Sequence, residues 1–378
     1  MKRQHVSATR WSVRWGAAWV AAALVALAGC AREDVPDDGL PSGRDVNADT
    51  LRPLVIFDHD MDFDDAAALA HLARLHKAGQ IDLRLVTVTS AGAGLPGRAI
   101  RHTRCLLERF GLADVPVADS RRVGANAFPE ILRLTFEQVL TDVTPGCTAS
   151  EEPSTVPAEQ ALINALVGSE RPVTLIATGP LTNVAGAIEL RASQGGKSLA
   201  PSVSHVFVQG GALHVPGGLC CGLETTFDQT QTFNPWADPA AAQATLDHFL
   251  LTDIVMVGAD ATNHVPIRTD FIARLDAEAT TPEAEFVRDV ANHPVITSAV
   301  TSGLPVFWWD PLATVAATTL DIVDYELVRI AIIQSGPSSG RTLEVGAHQG
   351  GRLVRFGISA NQALFEDAFL NGLNTPIP

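Results

Sequence analysis

Four aspartates, Asp58, Asp60, Asp64 and Asp65, stand close together in the sequence directly after the apolar run 54–57 (LVIF). Such a run is typical of a strand buried on both faces of a parallel sheet. Side chains that follow it lie at the carboxyl end of the strand, where open α/β sheets bind their ligands. Because four like charges this close repel one another, a hard divalent cation is expected among them. The cluster therefore predicts the metal-binding floor of a hydrolytic active site.

Three other interpretations of the cluster can be weighed from the residues. A solvated acidic turn would not need a buried strand before it. An EF-hand loop beginning at Asp58 would need Gly at position 6 and Glu at position 12, but Phe63 and Leu69 stand there. A haloacid-dehalogenase-like phosphatase would use Asp58 as nucleophile and Asp60 as acid and base, and would need a later lysine, for which only Lys197 is a candidate.

The elements around the cluster alternate between strands and helices, which favours an α/β fold with a doubly wound, mostly parallel sheet. A helical pattern runs from Asp64 to a stop at Gly79. Segments 325–334 and 341–359 alternate like an antiparallel hairpin at one edge of the sheet. Segments 120–160 and 214–232 are polar and turn-rich, and are expected to be loops over the site. Further strands are predicted at 82–89, 115–117, 173–177, 205–209 and 253–257, and further helices at 97–110, 180–193 and 239–250.

The N-terminus has the pattern of a bacterial lipoprotein. Four basic residues among the first 14 precede an apolar run at 15–29, which ends Leu-Ala-Gly before Cys30. Residues 1–29 are thus expected to be a signal peptide, with lipid attached to Cys30; a plain signal peptide or a membrane anchor are the alternatives. Residues 30–52 are polar and form a tether, and 53–378 form one domain. The protein is expected to be exported and anchored in the cell envelope, in the periplasm or at the surface.

Charge and cysteine content limit the partners. With 27 basic and 42 acidic residues the formal net charge is −15, which argues against binding nucleic acid. The four cysteines after Cys30 allow three disulfide connectivities in an oxidising compartment, and their spacing does not indicate zinc. These cysteines are Cys105, Cys147, Cys220 and Cys221.

Six segments together resemble the calcium-dependent, inosine-uridine preferring nucleoside hydrolases, and the chain resembles a divergent lipoprotein member. The Asp cluster is similar to that family's D-x-D-P-G-x-D-D, with Met61 and Asp62 in place of Pro-Gly. The other segments follow in the family's order: Thr178-Gly-Pro-Leu-Thr-Asn183, Gln209-Gly-Gly211, Phe233-Asn234 with Asp238-Pro239, Asp260-Ala-Thr-Asn-His264, and Trp309-Asp310-Pro311.

The resemblance implies a role for each site residue. Ca²⁺ would be held by Asp60, Asp65, Asp310 and the main-chain carbonyl of Thr178, and Asp60 would also be the general base that activates water. Asp58 and His264 would support the metal site from behind. Asp64 and Asn234 would hold the sugar, and Trp309 would stack on a purine ring.

The implied activity is metal-dependent hydrolysis of the N-glycosidic bond of a ribonucleoside, with a preference for purines, in a chain that can form a homo-oligomer. Three departures alter the sugar-binding part of the pattern. Ala93 replaces an Asn, Thr232 replaces a Glu, and an upstream Asn has only Asp228 or Gln229 as a substitute. These departures motivate the alternative of a non-catalytic lipoprotein that binds calcium and a ligand.

Overall fold

A mixed sheet forms the centre of the protein. In the computed structural model, residues 52–219, 231–319 and 321–378 are described. Within these ranges nine strands form one sheet in the order β3-β2-β1-β4-β5-β6-β9-β7-β8. The strands are β1 (Leu54–His59), β2 (Asp82–Val88), β3 (Val117–Asp119), β4 (Val173–Ala177), β5 (Val203–Gln209), β6 (Asp253–Val257), β7 (Val323–Ile332), β8 (Thr342–Glu344) and β9 (Arg352–Ala360).

Thirteen α-helices in the same ranges connect and cover the strands. They are α1 (Phe63–Lys77), α2 (Arg98–Arg109), α3 (Glu130–Val143), α4 (Ala158–Val167), α5 (Thr182–Ser193), α6 (Phe233–Ala237), α7 (Pro239–His248), α8 (Ala259–Thr262), α9 (Thr269–Glu278), α10 (Pro282–Ala291), α11 (Pro294–Ser302), α12 (Trp309–Thr318) and α13 (Gln362–Asn374). None of them combines the length and the apolar character needed to cross a bilayer.

Strands β1 to β6 all pair in parallel, which confirms the predicted α/β architecture. The predicted C-terminal hairpin is confirmed as the antiparallel pair of β7 and β9. It is joined to the sheet through β9, which runs parallel to β6, while the short β8 lies at the edge beside β7. Parallel strands bring their carboxyl ends to one edge, so the loops after β1, β2, β4 and β5 meet there.

Helix α1 is the most deeply buried helix near this edge. Thirteen of its 15 residues are buried, five of them alanines that let neighbouring elements approach closely. It packs against α10, α12 and α13. Every residue of β1 is buried as well. The strand and the helix that carry the Asp cluster are therefore held on all sides, which fixes the backbone between them.

The segment 120–160 differs from the prediction, because it contains helix α3 and the start of α4 in addition to loops. A disulfide ties this region to helix α2. It joins Cys105 to Cys147, with 5.7 Å between the Cα atoms. Cys220, Cys221 and Cys30 lie outside the described residues, as do residues 1–29 and all of the predicted tether except Arg52.

Candidate active site

The turn from β1 into α1 shapes the acidic cluster. Met61 adopts a left-handed backbone conformation (φ 60°), which is uncommon for residues other than glycine and turns the chain sharply. Asp62 then caps α1, accepting hydrogen bonds from the backbone N–H groups of Asp64 and Asp65. The Asp65 carboxylate reaches back to the N–H of Asp62, completing a capping box. This double cap sets the direction of the first turn of α1.

Asp65 contacts more of the site than any other residue of the cluster. Its Oδ2 accepts from the backbone N–H of Asp60 (3.2 Å), and its Oδ1 accepts from the Thr178 hydroxyl (2.6 Å). Thr178 follows β4, whose backbone pairs with β1. The side chain of Asp65 thus joins the carboxyl ends of two neighbouring strands.

Asp310 comes to the cluster from a distant part of the chain. It lies in the first turn of α12, and its backbone N–H donates to Oδ2 of Asp64 (3.0 Å). One carboxylate oxygen from each of Asp62, Asp65 and Asp310 lies within 4.8 Å of the others. The structure therefore brings together two of the four predicted metal ligands and adds Asp62, which the sequence had not assigned to the metal.

Asp60 lies beside Asp65 and is enclosed by backbone. Its Oδ2 accepts from the Ala93 N–H (2.5 Å), and its carbonyl accepts from the Gly94 N–H (2.8 Å). A Cβ atom at Gly92 would collide with the Asp60 carboxyl, and one at Gly179 would lie 2.8 Å from the Asp60 nitrogen. These glycines follow β2 and β4, so close approach of both strand ends to Asp60 requires residues without a side chain.

The cluster is electrostatically costly in its own right. Burial raises the pKa values of Asp60, Asp64 and Asp310 well above that of an ordinary aspartate, and repulsion between the carboxylates raises them further. Burial raises the pKa of Asp62 to about 6. Burial also raises the pKa of Asp65, but the charge interaction with His59 and the hydrogen bonds that Asp65 makes outweigh this effect, so the pKa of Asp65 is lowered. An added positive charge would favour the ionised form of every one of these groups.

The donor set fits a hard cation. The atoms that the described residues bring together here are oxygens, namely the carboxylates of Asp62, Asp65 and Asp310 with the Thr178 hydroxyl beside Asp65. Oxygen is the ligand atom that Ca²⁺ prefers. Asp64 Oδ1 is buried without a hydrogen-bond partner among the described residues, which is an unfavourable state for a carboxylate. Arg133 carries the positive charge that acts on Asp60, and it is only half-buried. A divalent ion bound among these oxygens would compensate both the repulsion and the unpaired atom.

The two residues predicted to brace the site differ in their surroundings. Asp58 is fully buried and accepts hydrogen bonds from the Thr87 hydroxyl (2.6 Å) and from the Asn183 amide (2.7 Å). Burial raises its pKa to about 7. It therefore connects β1 with β2 and α5 behind the cluster. His264 lies in an exposed turn after α8, and within the described ranges no hydrogen bond joins its ring to the cluster.

Asn234 lies next to the Thr178 carbonyl. Its side-chain nitrogen donates to that oxygen (2.5 Å) and to the side-chain oxygen of Gln209 (2.7 Å). Thr232, which stands where the family has Glu, contacts the strand end instead: its Oγ1 accepts a hydrogen bond from the Gly211 N–H (2.8 Å). Asp228 and Gln229, the suggested substitutes for another sugar-binding residue, lie outside the described residues.

A row of aromatic rings borders the cluster. Trp309 lies 6.3 Å from Phe63, Phe63 lies 5.6 Å from Phe136, and Phe128 lies 6.4 Å from Phe136 and 4.6 Å from Phe233, measured between ring centroids. Three of these rings directly precede a site residue in the sequence. Trp309 is half-buried. The preceding residue, Trp308, is completely buried and belongs to the core. Of the two tryptophans, Trp308 is thus a core residue and Trp309 lies at the site.

Three contributors were not assigned a role from the sequence. Asp62 carried a recognisable signal, since an acidic residue before a helical pattern is a common N-cap. Asn183 was part of a recognised segment, but its contact with Asp58 depends on the sheet order. Arg133 lies in the segment interpreted as a loop; its guanidinium donates to the Ser90 and Gly92 carbonyls. No sequence signal pointed to that contact.

The lysines do not favour the phosphatase interpretation. Lys197 is exposed and lies beyond the end of α5, about 18 Å of helix from the carboxyl edge of the sheet. Lys77 lies at the far end of α1, where it pairs with Glu283 (2.6 Å). Neither can neutralise a group at Asp58.

Comparisons with known proteins agree with this geometry. A family model described as inosine-uridine preferring nucleoside hydrolase matches residues 55–367. The pyrimidine-specific ribonucleoside hydrolase RihB of Escherichia coli O157:H7 is 27% identical over 302 residues, which cover 76% of this chain and 86% of RihB.

Solved structures share the fold. An inosine-uridine preferring nucleoside hydrolase from Bacillus anthracis superposes with a TM-score of 0.70 at 23% identity, covering 85% of this chain and 99% of that one. A purine-preferring ribonucleoside hydrolase from Gardnerella vaginalis superposes with a TM-score of 0.69 at 17% identity, covering 85% and 98%. Since the matched region contains the whole acidic cluster from Asp58 to Asp310, the chain belongs to the inosine-uridine preferring nucleoside hydrolase family, whose members are N-ribosyl glycosidases.

Proposed function

We propose that this protein is a Ca²⁺-dependent hydrolase that cleaves the N-glycosidic bond of ribonucleosides, with a preference for purines. The observation that carries the proposal is the meeting of the carboxylates of Asp62, Asp65 and Asp310 at the carboxyl edge of the sheet, with Asp60 and Thr178 in contact with Asp65. Family membership supplies the reaction class, and the donor set supports the choice of a hard cation.

In the proposed reaction, different residues of the site would have different roles. A Ca²⁺ ion, when bound, would supply a fixed positive charge that makes a nearby water molecule more acidic. Asp60 would accept the proton of the attacking water, since its carboxyl is held by the Ala93 N–H in one orientation. Asp64 and Asn234 would hold the sugar hydroxyls. The buried carboxylates would also stabilise the positive charge that develops on the sugar ring as the bond to the base breaks.

The purine preference rests on the aromatic row. Trp309 is half-buried beside the cluster and contacts other rings on two sides, at 5.6 Å from Phe307 and 6.3 Å from Phe63. A large flat base gains more from stacking on such a wall than a small one. The named relatives point in both directions, because RihB is described as pyrimidine-specific and the Gardnerella enzyme as purine-preferring.

The test is an activity panel with the full-length protein in mild detergent. Inosine, adenosine, guanosine, uridine and cytidine are incubated with Ca²⁺ or with a chelator, and free base and reducing sugar are measured. We expect base release that requires the metal and is fastest with purines. If no nucleoside is cleaved, the hydrolase proposal is wrong; nucleoside binding without turnover would then support the non-catalytic alternative, which the Ala93 and Thr232 replacements favour.

We propose in addition that the protein is exported and anchored by lipid on Cys30. The segment before Cys30 supports this location, and the Cys105–Cys147 disulfide is in keeping with an oxidising compartment. Metabolic labelling with radioactive palmitate tests the anchor. Label should appear in the wild type and be absent from Cys30→Ala, which should also leave the membrane fraction. Equal labelling of both proteins would contradict the assignment.

A further inference from the structure

The amide of Asn234 is surrounded by oxygen atoms at one end. Its side-chain nitrogen lies 2.5 Å from the Thr178 carbonyl oxygen, 2.7 Å from the Gln209 side-chain oxygen and 3.3 Å from the Gln209 carbonyl oxygen. Two of these three oxygens belong to the backbone and cannot exchange with a nitrogen. Because an amide oxygen in this place would face two carbonyl oxygens, the NH₂ group must lie there.

This arrangement fixes what Asn234 can offer to a ligand. Both N–H groups are used within the protein, one by the Thr178 carbonyl and the other by the Gln209 side chain. The amide oxygen lies at the opposite end, and no hydrogen bond to it comes from the described part of the chain. Asn234 therefore presents an acceptor, which suits a hydroxyl donor.

The orientation of Gln209 is fixed by the same contact. Its side-chain oxygen accepts from Asn234, so its own NH₂ group lies at the other end of the amide, where it makes no hydrogen bond within the described residues. The two contacts thus leave an acceptor on Asn234 and a donor on Gln209 without a partner among the described residues. A sugar hydroxyl, which both donates and accepts, matches this pair.

Close packing keeps the two residues together. Gln209 ends strand β5, and Gly210 follows with φ +132°, a conformation that side chains rarely adopt. A Cβ atom at Gly210 would lie 3.1 Å from the ring of Pro235 and 3.5 Å from Cβ of Asn234. The start of α6 therefore lies directly against the strand end, and neither amide can move far.

We propose that Gln209 is a positioning residue for sugar recognition: it holds the second N–H of Asn234, so that the pair selects a substrate with a hydroxyl group at that point. The proposal rests on the proposed nucleoside substrate. Among the partners of Asn234, the side chain of Gln209 is the one that substitution can remove without altering the backbone.

The experiment compares Gln209→Met with the wild type on inosine, 2′-deoxyinosine and 3′-deoxyinosine. Methionine has a similar shape but no donor, and its thioether sulfur is only a weak acceptor. We expect KM for inosine to rise about tenfold with kcat changed less than twofold, because a ground-state contact is lost. With the deoxy analogue that lacks the contacted hydroxyl, the variant and the wild type should have the same KM. Gln209→Glu, which retains the acceptor for Asn234, should recover part of the loss.

Gln243→Met is the matched control. The Gln243 side chain accepts a hydrogen bond from the Ile332 N–H (2.7 Å) on another part of the sheet, so its loss reports the general cost of this substitution. Its KM values should equal those of the wild type.

Two results would overturn the inference: an unchanged KM for inosine in Gln209→Met, or an equal rise for inosine and both deoxy analogues, which would indicate general distortion. Calorimetric Kd values of the same three compounds separate this inference from the proposed function. If the wild type binds but does not cleave, the hydrolase proposal fails, and the Kd pattern still decides the role of Gln209. If the wild type binds none of the three, both proposals fail.

Discussion

Removal of the Cys105–Cys147 disulfide should destabilise the protein without altering its active site. Cys105 lies on α2 and is almost fully buried, whereas Cys147 follows α3 and is half-buried. The bond closes a loop over a sequence separation of 42 residues, which includes β3 and α3. The perturbation is the double variant Cys105→Ala and Cys147→Ala, together with chemical reduction of the wild type.

The size of the effect follows from the length of the loop. In the chain-entropy description, cross-linking across about 42 residues removes about 13 cal/mol/K from the unfolded chain, which corresponds to about 4 kcal/mol at 25 °C. A domain of about 300 residues has an unfolding entropy of about 0.6 kcal/mol/K near its midpoint. The loss of the bond should therefore lower Tm by about 6 °C. The native contacts stay in place, so kcat at 25 °C should change less than twofold.

Calorimetry of the wild type, the reduced wild type and the double variant measures this effect. The reduced wild type retains both sulfurs, so its difference from the double variant measures the packing cost of replacing the two cysteines, of which Cys105 is the more buried. Peptide mapping by mass spectrometry establishes which thiols are bonded before and after reduction. If fully reduced wild type melts within 1 °C of the oxidised protein, the entropic reasoning is wrong; a free Cys105 in the oxidised protein would refute the pairing itself.

Four further outcomes are expected. Asp60→Asn should lower kcat about 1000-fold while leaving the far-ultraviolet circular dichroism spectrum unchanged, because the amide cannot accept a proton; near-normal turnover would refute the general-base role. Gly92→Ala should reduce kcat/KM at least tenfold, since its Cβ collides with the Asp60 carboxyl, whereas Gly218→Ala, which meets no heavy atom of the described residues nearer than 4.0 Å, should have little effect. Arg133→Met should lower kcat/KM about tenfold, because three hydrogen bonds to the Ser90 and Gly92 carbonyls are lost; an unchanged value would show that the loop after β2 holds itself. Burial lowers the pKa of His71 from 6.5 to about 3, so below pH 6.5 the unfolded state binds a proton that the folded state does not. As the pH falls from 6.5 to about 3, the free energy of unfolding therefore decreases by up to about 1.4 kcal/mol per pH unit. Between pH 7 and pH 5, urea titrations should therefore show about 2 kcal/mol less loss of stability in His71→Gln than in the wild type, and parallel losses would refute this origin.

The fold was largely predictable because its strands are short apolar runs separated by helical patterns. Buried parallel strands must be apolar on both faces, so β1, β4 and β6 stand out in the sequence. The position of the acidic cluster follows from the same reasoning, since the residues after such a strand lie at its carboxyl end. Asp310 lies about 250 residues later in the sequence, and the order of the strands brings it to the cluster. That order cannot be read from the residues, so the prediction that Asp310 belongs to the site came from the family resemblance.

Helix α3 was not predicted, for a physical reason. Only three of its residues, Val139, Leu140 and Val143, are buried, and all lie in its second half. Its first half exposes Ile131 and Leu134, so the pattern has no clear apolar face. A helix that covers the edge of a site packs little of its surface on the core, so its sequence lacks a strong apolar stripe. For the same reason, the contact of this helix with the loop after β2 could only be seen in the structure.

The departures from the family pattern change the site less than their side chains suggest. Asp62 adds a carboxylate where the family has glycine, but its oxygen is already used to cap α1, and the positive end of the helix stabilises its charge. Ala93 removes a side chain, yet its backbone N–H holds Asp60. Both changes leave the acidic cluster in place, so what they alter is the predicted set of sugar contacts. In the proposed enzyme, selectivity for the sugar would then depend more heavily on the amides of Asn234 and Gln209, which is why the deoxynucleoside comparison is the most discriminating measurement for this site.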